Sequence, residues 1–163
     1  MLYLYMQWCV NMRPTFWFCG KPVRAAGILV WTRSNGKTLR LMRKVCGRNE
    51  DLGGKTDAVD RDMMDTAIRE AVEETDGKLF SNNHTTHECS CMLYRHIINC
   101  SDVQYNPSAK YLLYRVYVDP TILQLSMKRF GLYETTEWGI LRHRFKWTSD
   151  VKNIHPRIRG MVR

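Results

Sequence analysis

The sequence lacks any apolar run of the roughly 18 residues that a membrane-spanning helix needs. The apolar, uncharged stretch from Met1 to Met12 stops at Arg13 and Pro14. It also lacks the basic start and small-residue cleavage site of a secretory signal. No internal repeat and no low-complexity linker divides the 163 residues, so the length predicts a single domain. Acidic residues are the minority: 16 Asp and Glu face 25 Lys and Arg, a formal net charge of +9. That excess favours an anionic partner such as a nucleotide, RNA or a phosphorylated small molecule, or else a basic solvated surface. The six cysteines (9, 19, 46, 89, 91 and 100) do not have the spacing of a small stapled scaffold. They predict free thiols in a reducing, cytoplasmic setting, and the lack of a long apolar run predicts no membrane partner.

What is present is an ordinary globular composition, 44% apolar and 25% charged, long enough to bury its own core. Residues 1–22 read as an N-terminal extension, with Met12 a candidate alternative start, and 23–163 as one domain. Val23 to Arg33 reads as a strand. Asn35-Gly36 then marks a two-residue hairpin, because a type I′ turn needs positive φ at both central positions. Leu39 to Val45 is the returning strand, with Leu39, Leu41 and Arg43 on one face and Arg40 and Met42 on the other. Cys46 to Asp60 reads as a loop containing Gly53-Gly54. Arg61 to Thr75 reads as a helix, on which Met64, Ala67, Ile68, Ala71 and Val72 recur at helical spacing. The remaining expectations are a loop from Ser81 to Glu88, a strand from Cys89 to Cys100, a loop from Ser101 to Lys110 and a strand from Tyr111 to Val118. A short helix over Thr121 to Phe130, a strand over Trp138 to Trp147 and a helix over Ser149 to Val162 complete the reading. Strands bracketing helices in mixed order predict an α/β or α+β sandwich.

The chemistry concentrates in Leu52-Gly53-Gly54-Lys55-Thr56-Asp57 and in Arg69-Glu70-Ala71-Val72-Glu73-Glu74-Thr75. At about 100° per residue, Glu70, Glu73 and Glu74 share one sector of the helix, away from Ala67, Ile68 and Ala71. Carboxylates crowded in this way repel unless positive charge lies among them, and a hard divalent cation takes oxygen ligands. A solvated acidic face has the same pattern. The preceding Gly-Gly turn lets backbone approach a ligand or metal closely. Arg69 is placed to pair with an acid of the loop.

These residues resemble the signature of the Nudix hydrolases, G-x5-E-x7-R-E-U-x-E-E-x-G-U with U aliphatic. Gly54 matches its first glycine, and Arg69, Glu70, Ala71, Glu73 and Glu74 match its central cluster. Asp60 stands in place of the family's first glutamate, eight residues rather than seven separate it from Arg69, and Asp76-Gly77 replaces the closing glycine. The resemblance spans Val23 to about Trp147 and implies an α/β/α sandwich with a mixed central sheet. It implies that Glu73 and Glu74 are the main ligands of Mg²⁺ or Mn²⁺, that Glu70 is a ligand or the base that activates water, and that the Gly54 carbonyl adds a ligand. Gly53, Asp60 and Arg69 would support the site, and a late carboxylate, Glu137 or else Glu134, would complete it. The implied reaction is hydrolysis of a diphosphate joining a nucleoside to another group, as in ADP-ribose. The alternatives are removal of the 5′ cap of mRNA and a Nudix-like module that binds nucleotide or RNA without hydrolysis. The short chain and divergent signature are similar to Nudix proteins of large DNA viruses, which would place it in the host cytoplasm or nucleus.

Two further features carry other chemistry. His84, His87, Cys89 and Cys91 lie close together but in no common zinc spacing. Arg142, His143, Arg144, Lys146, Arg157, Arg159 and Arg163 form a basic tract suited either to tracking a phosphate backbone or to a solvated face.

Overall fold

The structure, a computed structural model, describes residues 12–81, 83–121 and 144–163. The expected helix over Thr121 to Phe130, the start of the strand from Trp138, and both late carboxylates Glu134 and Glu137 lie outside the described residues.

The architecture is mixed α+β, built on a seven-stranded mixed sheet. Its strands are β3 (Ala25–Ser34), β4 (Lys37–Val45), β5 (Arg48–Glu50), β6 (Leu52–Lys55), β7 (Val103–Asn106), β8 (Tyr111–Tyr117) and β9 (Arg144–Thr148). The path runs β5-β4-β3-β8-β7, with β6 paired to β3 and β9 to β4. Strand β3 is central. It runs parallel to β8 along its length and antiparallel to both β4 and β6. Being covered on both faces, it has a continuous apolar centre, Ile28-Leu29-Val30, rather than alternation. A small separate hairpin, β1 (Phe16–Phe18) with β2 (Lys21–Val23), precedes it, so strands already begin within the expected extension.

The turn at Asn35-Gly36 has φ of 52° and 74°, the double left-handed geometry that joins Ser34 to Lys37. Cys46-Gly47 repeats it, with φ of 49° and 77° between Val45 and Arg48. The expected loop from Cys46 to Asp60 therefore contains β5 and β6. Likewise, the expected loop from Ser101 contains the edge strand β7.

Helix α1 (Met63–Thr75) begins two residues later than expected, because the Asp62 carboxylate caps it by accepting from the Asp65 amide at 2.8 Å. Asp76 closes it with φ of 52°, followed by Gly77 at 69°, so both residues take left-handed conformations. Ala67, Ile68, Ala71 and Val72 are buried against Ile28, Val30 and Leu41 of the sheet.

The segment from Cys89 to Cys100 is not a strand. It belongs to helix α2 (Thr86–Ile97), nucleated by a reciprocal capping box between Thr85 and Glu88. Cys89, Leu93 and Ile97, spaced by four, form its buried stripe. This correction separates the metal-like cluster: Cys89 points into the core, while Cys91 is exposed and lies 3.6 Å from the His87 imidazole. The five described cysteines are free thiols.

Both α-helices pack on one face of the sheet. The other face buries Leu29, Met42, Tyr111 and Leu113 under Ile154, Ile158, Met161 and Val162. The expected helix from Ser149 to Val162 is instead an irregular strap containing one 3-10 turn, Pro156–Ile158. Pro156 supplies no amide donor, and the strap spends its backbone on the sheet rim, where His155 N–H donates to the Asn49 carbonyl at 2.9 Å. No helix among the described residues is long and apolar enough to cross a membrane.

Candidate functional site

The acidic face of α1 lies over β6. Alternation along β6 turns Leu52 and Gly54 toward the helix and Gly53 to the opposite face. Glu70 rests directly on Gly54. A Cβ added at Gly54 would stand 2.5–2.7 Å from the Glu70 carboxyl atoms, so a side chain there would push that carboxyl from its place.

Arg69 joins helix to loop. Its Nε and one Nη donate to the two oxygens of Asp60 at 2.8 and 3.0 Å, a bidentate pair. The same guanidinium donates to the Lys55 carbonyl at 2.9 Å, to Glu70 at 3.1 Å and to Glu73 at 3.4 Å. Asp60 also accepts from the Thr66 hydroxyl and the Asp57 amide. The shorter aspartate and the extra residue before Arg69 thus still deliver the pair, because the 57–62 turn folds back on its own amides. Burial pushes the Asp60 carboxyl up, but the hydrogen bonds from Arg69, Thr66 and Asp57 outweigh it and hold the group below its ordinary range.

The three helix carboxylates differ sharply in environment. Glu73 is the open one, its side chain 59% exposed. Glu70 is largely covered, and burial raises its carboxyl despite the opposing charge of Arg69. Glu74 is 8% exposed and lies 3.1 Å from Arg43. Its second oxygen is buried without a hydrogen-bond partner. Burial pushes its carboxyl up to about 8, against the pull of Arg43 and with the help of nearby Asp51 and Glu70.

Behind Glu74 runs a chain of charges that sequence reasoning missed. Arg43 lies 3.7 Å from Glu50, and Arg157 lies 3.3 Å from Glu50 and 2.9 Å from Asp51. Asp51 accepts in turn from the Tyr111 hydroxyl. That hydroxyl fits between Gly27 and Gly53, facing residues of β3 and β6, in space that a Cβ on either would fill. The adjacent acids Glu50-Asp51 just ahead of Gly53-Gly54 were a signal in the sequence. Nothing in the sequence marked Arg157 as their partner. Its capture removes the residue from the basic tract expected to follow a phosphate backbone.

The donor set fits a hard divalent cation. Glu70, Glu73 and Glu74 offer only oxygen, and one buried oxygen of Glu74 has no partner. Among the described residues, however, no three His, Cys, Asp or Glu side chains already converge as a metal cage. Arg69 and Arg43 lie against the carboxylates and supply the positive charge that a cation would otherwise bring. Compared with known proteins, the chain matches no protein-family model and no curated relative.

Proposed function

We propose that the protein is a divalent-metal-dependent pyrophosphatase of the Nudix type, acting on a nucleoside diphosphate linked to another group. The observation that carries this reading is the stacking of Glu70 on Gly54 beside the buried, half-partnered Glu74, with Arg69 clamping Asp60 and the Lys55 carbonyl around them. Glu70, Glu73, Glu74 and the Gly54 carbonyl would hold Mg²⁺ or Mn²⁺. A bound ion of this kind supplies neutralisation of the diphosphate oxygens and a more acidic water. Arg69 fixes the helix against the glycine strand and so holds the spacing of the carboxylates. Glu70, with its proton affinity raised by burial, suits the role of proton acceptor. The free thiols support an intracellular, reducing setting.

A small nucleotide derivative is favoured over capped RNA because Arg157, part of the expected RNA-tracking tract, is taken into the interior by Asp51 and Glu50. The test is a hydrolysis screen with Mg²⁺ and Mn²⁺ that sets ADP-ribose and related nucleoside diphosphates beside cap-labelled RNA. Metal-dependent release of AMP supports the reading, and release of methylated GDP from RNA alone replaces it with decapping. The double variant Glu73→Gln, Glu74→Gln should abolish turnover while largely keeping the fold. Turnover equal to wild type in that variant overturns the site assignment. Silence on every substrate, with metal bound, makes the chain a binding module.

A further inference from the structure

The sheet face opposite α1 carries a second concentration of unpaired donors, unrelated to the acidic helix. Arg40 of β4 is paired in register with Trp31 of β3, and Trp31 with Tyr117 of β8. Arg115 of β8 is opposite Leu29, two residues before Trp31. Register and alternation therefore direct Arg40, Trp31, Tyr117 and Arg115 to one face, shared with Leu29 and Met42. Lys37 to Val45 alternates as the sequence suggests, which is why Arg43 reaches α1 while Arg40 does not.

Arg40 is 7% exposed and makes no hydrogen bond or ion pair among the described residues. A guanidinium does not escape burial by losing its proton, as a lysine or carboxyl does. Its burial, and then the like charge of Arg115, lower its proton affinity without neutralising it. Arg115 is only partly compensated. It lies 3.3 Å from Asp102, whose side chain is 39% exposed, and donates to the Arg163 carbonyl. Three buried N–H groups remain without an acceptor on this face: Nε of Arg40, Nε of Arg115 and the indole N–H of Trp31. Water would satisfy the donors but leave the charge of Arg40 uncompensated. An oxyanion does both.

We propose that Arg40 and Arg115 bind the phosphate of a nucleotide unit on this face, with the Tyr117 ring beside it as the stacking surface for the base. Two guanidinium groups match the charge and the geometry of a phosphate better than those of a single carboxylate. Tyr117 is 49% exposed and meets Trp31 edge-on, with ring centroids 5.0 Å apart, so one side of its ring is open. Free mononucleotide and an RNA strand present this same phosphate and base. The proposal does not depend on the pyrophosphatase reading, because the residues lie on the opposite face from Glu70 and Glu74.

The experiment is isothermal titration of the full chain in EDTA, which silences a divalent-metal site, with inorganic phosphate, AMP and a short oligoribonucleotide as probes. The wild type is expected to bind AMP more tightly than phosphate. Arg40→Met should weaken both by about tenfold or more, the scale of a lost charge-assisted pair. Tyr117→Ala, a change at an exposed ring, should weaken AMP toward the affinity of phosphate and leave phosphate itself unchanged. In phosphate-free buffer Arg40→Met should also raise the melting temperature, because it removes an uncompensated buried charge, whereas loss of an ordinary structural arginine lowers it. Binding by the oligoribonucleotide but not by AMP assigns the site to an RNA strand. Wild-type protein that binds none of the probes, or Arg40→Met protein that binds them as wild type does, overturns the proposal. Glu74→Gln protein should bind AMP unchanged in EDTA, which separates this site from the acidic helix.

Discussion

Arg157 reaches across 106 residues of sequence to place its Nε and Nη2 at 3.0 and 2.9 Å from one oxygen of Asp51, a carboxylate with no solvent exposure. Removing the arginine strands that charge in the interior. Arg157→Met is expected to destabilise the protein by about 3–5 kcal/mol, as for other broken buried pairs. The double variant with Asp51→Asn should recover part of the loss. Urea unfolding of the two variants measures both, and a loss confined to a few tenths of a kcal/mol contradicts the pairing.

Neighbouring glycines should answer differently to the same methyl group. At Gly53 an added Cβ meets the Tyr111 hydroxyl and the Gly27 backbone, neither of which has room to retreat. Gly53→Ala should therefore cost about 1–3 kcal/mol or more from overpacking. At Gly54 the obstacle is the end of the Glu70 side chain, which rotates aside. Gly54→Ala should leave the melting temperature nearly unchanged and reduce metal-dependent turnover at least about tenfold, a misplacement effect. Thermal melts beside turnover assays separate the two outcomes.

Acid should loosen the clamp under the site. The folded-state Asp60 carboxyl is held below its ordinary 3.8, so its pairing stabilises the protein fully above that value. The contribution is lost as pH falls from there through the depressed folded value. Asp60→Asn should be less stable than wild type at neutral pH, and the gap should narrow below about pH 4. Melting temperatures of both proteins across the acid range test the convergence.

Glu74 has the opposite sign. Its folded-state carboxyl is raised from 4.5 to about 8, so the stabilising protonated form is present at low pH and is lost as pH rises through that interval. In EDTA the wild type should lose stability between these values, and Glu74→Gln should lose less. Parallel pH-dependent melts with identical slopes contradict the burial of this carboxylate.

The sequence made local features legible and long-range ones not. The Asn35-Gly36 turn, the presence of the two strands it joins and the core face of α1 follow from spacing within about a dozen residues, although β3 begins at Ala25 rather than Val23 and β4 at Lys37 rather than Leu39. The Asp60–Arg69 pair followed from the family resemblance. The segment at Cys89 misled because its capping pair, Thr85 and Glu88, sits in a polar stretch that resembles a loop, while Cys and Tyr give it a strand-like composition. Arg43 and Arg157 were invisible as partners of Glu74 and Asp51. Burial of an ion pair depends on which strands become neighbours, and no period in the sequence encodes that. Arg40 was placed on the correct face, but its lack of a counter-charge becomes apparent only when the opposing strands are known.

The strap from Ile154 to Val162 also sets an order in time. A chain made from its N-terminus can pair β3 with β4 and β8 before the strap is free of the ribosome to cover them. Until then Leu29, Met42 and Leu113 face water, and Asp51 has no arginine. Nascent protein must therefore hold a nearly complete sheet with one greasy side uncovered, the state most prone to self-association. Synthesis stalled before the strap should yield aggregates or chaperone-bound intermediates, whereas stalling inside the β1–β2 hairpin should not.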